Sequence, residues 1–168
     1  MPSLEDELAN LSQLLHQEIT IYGLLIDALN RQTECLRKGA IDSMVEVIRR
    51  IEHYTTEVRQ LNGRIQTVTG DLFEMLGDQG KEMSLSHLIS LLPPVHRGKL
   101  KSYQKTLLHL QEGVKITNEK NKTFIEEHLI FLRHLTSFLI HPVPDPPCYP
   151  RAGHASLTVP SYALNREV

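Results

Sequence analysis

Proline is missing from most of this chain. No proline occurs between Ser3 and Leu92 or between Val95 and His141, whereas six of the nine prolines lie within residues 142–168. Because proline removes a backbone donor and clashes with the preceding helical turn, proline-free stretches of this length favour long helices. The sequence therefore predicts two long helical stretches, a break at Pro93–Pro94 and a tail that is not helical.

Other absences narrow the class of protein. The only two cysteines, Cys35 and Cys148, are far apart, so a disulfide framework is not expected and a reducing cytoplasm fits. No apolar run approaches the ~20 residues of a membrane-spanning helix, so we expect no direct membrane insertion. The formal net charge of −2 argues against a nucleic-acid partner, which requires a basic face.

Heptad-like spacing of apolar residues predicts where the helices lie. The first helix begins after a capping Ser3 and ends at Gly39, and the second begins near Ile41 and ends at Gly77. A short amphipathic helix follows Ser84, and a long helix runs from about residue 95 to residue 140. In the first helix the apolar stripe consists of Leu4, Leu8, Leu11, Leu15, Tyr22, Leu25, Leu29 and Leu36.

These elements predict an all-α protein. The short turn at Gly39 makes the first two helices antiparallel neighbours. We expect an elongated antiparallel helical bundle or coiled coil of three long helices plus one short helix. Residues 1–141 form this body and residues 142–168 form a flexible, proline-rich, non-helical C-terminal tail. The order in which the helices pack is left open. Gly63 and Gly70, inside the second helix, indicate either tolerated soft spots or the close approach of another segment.

The residues that carry chemistry do not form a recognisable site. None of the nine histidines follows an acidic residue by three positions, and neither a zinc-type histidine motif nor a cysteine pair at ligand spacing is present. Phosphate-binding glycine loops are missing as well. We therefore expect no enzymatic activity, no catalytic residues, no metal and no cofactor.

One polar residue interrupts the apolar stripe of the first helix. In an antiparallel pair that turns at Gly39, Glu18 lies level with the region from Gln60 to Arg64. The sequence predicts a Glu18–Arg64 pair in the helix–helix seam, where polar contacts commonly set the alignment.

The last helix changes character toward its end. From Phe124 to Ile140 apolar residues occur on several faces, and such a surface must be covered. One reading is a groove-forming surface for a partner helix, and the alternative is core packing against the first helix. The tail carries Tyr149, Leu157 and Tyr162 among turn-forming residues, which suits either a segment that orders on binding or a plain disordered end.

The pattern as a whole resembles the flagellar export chaperones of the FlgN family, over nearly the whole chain. The resemblance rests on short elements in a fixed order, namely Glu18, Tyr22, Leu24–Leu25, Gln32, Leu36 and Gly39; Arg64 and Leu76–Gly77; the segment SLSHLISLLPP; Asn118 and Asn121; and Tyr149 and Gly153. Two departures are Ala40, where an acidic helix start is common, and the proline-rich segment HPVPDPPCYP.

The resemblance implies a cytoplasmic chaperone of flagellar type III export. Such proteins bind the C-terminal helical segments of hook-associated proteins 1 and 3, prevent their premature assembly and deliver them to the export gate, with contacts to export ATPase components. The implied binding surface lies in the C-terminal part of the chaperone. The sequence leaves open whether the free protein is a monomer or a homodimer. The candidate cargo-binding residues are Asn121, Phe124, His128, Phe131, Leu135, Phe138, Tyr149, Leu157 and Tyr162. The alternative is a structural coiled-coil or adaptor protein without a secretion role.

Overall fold

The computed structural model describes residues 3–78 and 84–140, and within these ranges all regular structure is helical. The helices are α1 (Leu4–Lys38), α2 (Ile41–Leu76), α3 (Leu85–Leu91) and α4 (Pro94–Ile140). The predicted all-α class, with three long helices and one short one, is confirmed. The predicted tail, residues 142–168, lies outside the described residues. The chain divides into two compact units, residues 1–130 and 131–168; in the second, the described residues are the last turns of α4.

The helix ends follow from local backbone chemistry. Ser3 and Asp6 form a capping box at the start of α1, in which the Ser3 hydroxyl accepts from the Asp6 amide at 3.2 Å and Asp6 accepts from the Ser3 amide at 3.1 Å. Gly39 ends α1 with φ 64°, and Gly77 ends α2 with φ 71°. Both glycines are in the left-handed conformation that side chains disfavour, so both predicted stops are confirmed.

α1 and α2 pack as antiparallel neighbours. Gln17 and Thr20 of α1 line one cavity with Gln60 and Arg64 of α2. Nearer the Gly39 turn, residues 24–31 of α1 line another with residues 47–54 of α2. As the residue number rises on one helix it falls on the other, which is the alignment that the sequence predicts.

α4 runs parallel to α1. Along the pair, the rings of His16 and Tyr103 lie 6.4 Å apart, and Gln111 donates to the Tyr22 hydroxyl at 3.4 Å. Since α2 is antiparallel to α1, successive long helices alternate in direction. This is the antiparallel bundle expected from the sequence, and it adds the packing order that the sequence left open.

The core is mainly leucine. Its largest fully buried members come from all four helices: Leu11, Leu14, Leu15, Leu29, Leu72, Leu88 and Leu92, with Asn121. In α2, apart from the adjacent residues and the nearby backbone of the helix itself, no atom of the described residues lies within 4 Å of where a Cβ on Gly63 or Gly70 would be. The reading of these glycines as points of close approach is therefore wrong, and they are tolerated soft spots.

α3 closes one end of the bundle. Leu88 and Ile89 are buried, and the His87 ring stacks on Phe73 of α2 with ring centroids 5.6 Å apart. The His87 Nε2 atom lies 2.6 Å from a carboxylate oxygen of Asp78. The Arg97 side chain of α4 donates to the carbonyl of Leu92 at 2.6 Å, which joins the end of α3 to the start of α4.

Candidate functional site

α4 is held against α1 up to Asn121. The Asn121 side chain is 2% exposed, and its amide nitrogen donates to the Leu29 carbonyl and to the Gln32 side chain, both at 2.9 Å. Its side-chain oxygen accepts from the Thr33 hydroxyl at 2.6 Å. This amide is therefore engaged inside the bundle, and the structure gives Asn121 a structural place rather than an accessible one.

Beyond Asn121 the burial of α4 falls abruptly. Phe124 is half-buried, and every residue from Ile125 to Ile140 is exposed. We call residues 124–140 of α4 the docking segment. Its exposed large apolar side chains are Ile125, Leu129, Ile130, Phe131, Leu132, Leu135, Phe138, Leu139 and Ile140. Within residues 1–130, the exposed side chains of Ile125, Leu129 and Ile130 are not part of the core that α4 forms with α1.

The docking segment contains five of the predicted cargo-binding residues. Phe124, His128, Phe131, Leu135 and Phe138 all belong to it, and all except Phe124 are exposed. The His128 ring stacks on Phe124 with centroids 4.1 Å apart.

The sequence did not single out the aliphatic residues beside these five, such as Leu129 and Leu132, as candidates. Their signal was the continuation of apolar residues past the regular seam. The other predicted residues, Tyr149, Leu157 and Tyr162, lie outside the described residues.

A continuous exposed apolar surface of this kind is unusual. Soluble monomers rarely expose contiguous apolar patches of more than a few hundred Å², and larger ones mark sites of interaction. Phe131 and Phe138 are each 63% exposed, and a phenylalanine side chain buries roughly 150 Å² or more when covered. The arrangement suits the binding of an amphipathic helix rather than bond-making chemistry.

Glu18 is buried, but it does not pair with Arg64 as predicted. Its side chain is 3% exposed, and burial raises the pKa of Glu18 to about 7. Burial also raises the pKa of Tyr22, and the nearby Glu18 charge adds to that shift. Arg64 is exposed on a cavity between α1 and α2 that it lines with His16. Across the described residues no Glu18–Arg64 ion pair forms, since the two side chains are level along the helices but occupy different faces.

The described residues form neither a metal cluster nor a membrane span. Residues 3–78 and 84–140 hold no group of three or more His, Cys, Asp or Glu side chains that suits a metal ion. Nor does any helix of the described chain have the length and apolar character needed to cross a membrane.

Together, the fold and the end of α4 define an all-α helical bundle with an exposed apolar surface. Comparison with known families identifies the class, because the model of the FlgN protein family matches residues 1–156. The chain therefore belongs to the FlgN family of flagellar export chaperones. No curated protein and no solved structure matches the chain.

Proposed function

We propose that this protein is a cytoplasmic chaperone that binds the C-terminal helical segments of hook-associated proteins 1 and 3. It keeps these subunits from assembling early and delivers them to the flagellar export gate, with contacts to export ATPase components. Membership of the FlgN family supports the export role. The observation that carries the cargo-binding part is the exposed apolar docking segment at the end of α4.

The physical basis is the cost of leaving this segment uncovered. Removing apolar surface from water is worth about 25 cal/mol per Å², so covering Phe131, Leu135 and Phe138 with the apolar face of a partner helix is favourable. The same exposed surface suits a polymer-forming subunit, since a helix held on the chaperone is not free to pack in a filament. Tyr149, Leu157 and Tyr162 belong to the proposal as further contacts from the tail.

The direct test uses purified full-length chaperone and purified hook-associated proteins 1 and 3. We expect each to form a complex, and the double variant Phe131→Ser/Phe138→Ser to weaken it by at least tenfold. The matched control is Val95→Ser, which removes an apolar side chain that is 87% exposed at the start of α4. Calorimetry on both variants, with circular dichroism to check folding, separates a lost surface from a lost fold.

Two further tests divide the proposal into parts. One is the triple variant of the full chain that combines Tyr149→Ala, Leu157→Ala and Tyr162→Ala. If its affinities for hook-associated proteins 1 and 3 are unchanged, the tail is not part of the site. Absence of binding by the unaltered chain to either protein contradicts the proposed cargo. Sedimentation of the free chain decides between monomer and homodimer. A structural coiled coil or adaptor would instead self-associate through its seams and bind neither protein.

A further inference from the structure

The apolar surface of the docking segment is too wide for one helix. At 100° per residue, its apolar side chains from Phe138 around to Ile140 cover an arc of about 200°. A helix that packs against a single neighbouring layer shows an apolar stripe of roughly 100°. The width alone therefore indicates contact with two neighbours.

The arc divides into two stripes that run side by side along the helix. One stripe, the phenylalanine seam, consists of Phe124, Phe131, Leu135 and Phe138. The other, the aliphatic seam, consists of Ile125, Leu129, Leu132, Leu139 and Ile140. The phenylalanine seam recurs at intervals of seven, four and three residues, and the aliphatic seam at four, three and seven as far as Leu139, with Ile140 at its outer edge. Intervals of three, four and seven are the spacing of a helix–helix contact. Every member is exposed except the half-buried Phe124, so both seams are open.

Two polar residues within the arc turn their polar atoms back to their own helix. The Nδ1 atom of His128 lies 2.8 Å from the Phe124 carbonyl oxygen. The Thr136 hydroxyl donates to the Leu132 carbonyl at 2.6 Å. Because the His128 Nδ1 atom and the Thr136 hydroxyl are already hydrogen-bonded, a partner covers these two atoms without leaving either unsatisfied. These two residues therefore do not divide the apolar arc.

The rest of the helix surface is polar. The opposite arc carries the polar residues Glu126, Glu127, Arg133, His134 and Ser137. Ile130 is the one large apolar residue among them. This side is fit to stay in water. The apolar arc thus covers a little more than half of the helix circumference and leaves a single side for solvent.

We propose that the docking segment inserts between two helical segments of one bound cargo protein, one on each seam, to form a three-helix unit. This inference rests on the proposed function and names the form of the partner: two helices rather than a single amphipathic peptide. A second copy of this chain fits less well. In a two-fold symmetric pair the same patch meets itself, so each docking segment covers one seam of the other and leaves one exposed.

Three consecutive residues provide the test. Leu129 lies on the aliphatic seam and Phe131 on the phenylalanine seam, while Ile130 lies between them on the polar side. Their exposures are similar, at 48%, 63% and 50%, so truncation affects the free protein about equally. We expect Leu129→Ala and Phe131→Ala each to weaken binding of full-length hook-associated protein 1 or 3 by about tenfold, as for a covered interface side chain. Ile130→Ala should change it less than twofold.

Each outcome has a distinct meaning. If Phe131→Ala weakens binding and Leu129→Ala does not, a single helix binds; the two-helix proposal is overturned and the proposed function stands. If all three variants weaken binding equally, the two seams do not define the interface. If the unaltered chain binds neither protein, the proposed function fails and this inference fails with it.

Photocrosslinking then identifies the occupants directly. Benzoylphenylalanine placed at position 129 or 131 of the full chain reacts with whatever lies on that seam. We expect the two positions to label two cargo segments that are separate in sequence. Labelling of the same segment from both positions, of a second chaperone copy, or of residues 141–168 of this chain would overturn the two-helix proposal.

Discussion

The Asn121 side chain donates a hydrogen bond across the bundle to the backbone carbonyl of Leu29, at 2.9 Å. That carbonyl belongs to a helix, so this contact joins α4 to the backbone of α1 and not only to a side chain. The position marks the last buried residue of α4. Everything C-terminal to Phe124 in the described helix is exposed, and Asn121 therefore ends the bundled part of α4.

Replacing this side chain should destabilise the bundle. Asn121→Ala removes three hydrogen bonds and leaves the Gln32 and Thr33 side chains without the buried partner. We expect the free energy of unfolding to fall by about 1–3 kcal/mol, measured by urea denaturation. Asn118→Ala is the matched control, since Asn118 is exposed one turn earlier. A fall of equal size in both variants would show that the buried network is not the cause.

The two internal glycines of α2 give a prediction with the opposite sign. Among the described residues, no other element lies within 4 Å of a Cβ added at Gly63 or Gly70, and both lie within a regular helix. Gly63→Ala and Gly70→Ala should each stabilise the protein by about 0.5–1 kcal/mol, because alanine loses less backbone entropy in a helix. Thermal denaturation followed by circular dichroism measures this change.

Gly39→Ala is the informative contrast. Its φ of 64° is left-handed, so the same substitution should destabilise by about 1 kcal/mol. Stabilisation at Gly39, or destabilisation at both α2 sites, would be inconsistent with the backbone described here.

The packing of α3 against the end of the bundle depends on His87. This side chain pairs with Asp78 at 2.6 Å and stacks on Phe73. His87→Ala removes both contacts and should lower the free energy of unfolding by about 1 kcal/mol or somewhat more. His109→Ala, at an exposed position of α4, serves as the control and should change it by less than about 0.5 kcal/mol. Hydrogen exchange should show faster exchange of the α3 amides only in the His87 variant.

The sequence predicted what depends on local chemistry. Gly39 and Gly77 as helix stops follow from a left-handed backbone conformation that few residues favour. Ser3 as a cap follows from its hydroxyl, which accepts a hydrogen bond from an amide of the first turn. The alignment of α1 with α2 follows from the short turn between them. No comparable short turn precedes α4, so the sequence between Gly77 and Pro93 does not predict its direction.

Contacts across the bundle were harder to predict than positions along it. The sequence correctly placed Glu18 and Arg64 at the same height along the antiparallel pair. An ion pair also depends on the direction in which each side chain leaves its helix, and this direction turns by 100° with each residue. One partner of Asn121 is a backbone carbonyl, which no residue pattern reveals. Periodicity also failed to distinguish the exposed end of α4 from core, since both are apolar at helical spacing.

The buried carboxyl of Glu18 makes stability depend on pH. Burial raises its pKa from the usual 4.5 to about 7, so between these values the folded protein keeps a proton that the unfolded chain has lost. The free energy of unfolding contributed by Glu18 must therefore fall as the pH rises from about 4.5 to 7. Above that range both states are ionised, and the penalty stays constant. At 1.36 kcal/mol per pKa unit the total is on the order of 3 kcal/mol.

Glu18→Gln isolates this effect, because glutamine has nearly the same shape and does not titrate. We expect the stability of the unaltered protein to decline relative to that of the variant between pH 4.5 and 7, measured by urea denaturation at several pH values. Other titrating groups are common to both proteins and cancel in the difference. Glu34→Gln, at an exposed ion pair with Arg31, should give a nearly flat difference. A flat difference for Glu18→Gln as well would mean that Glu18 is ionised in the folded protein at no cost, which is incompatible with its 3% exposure.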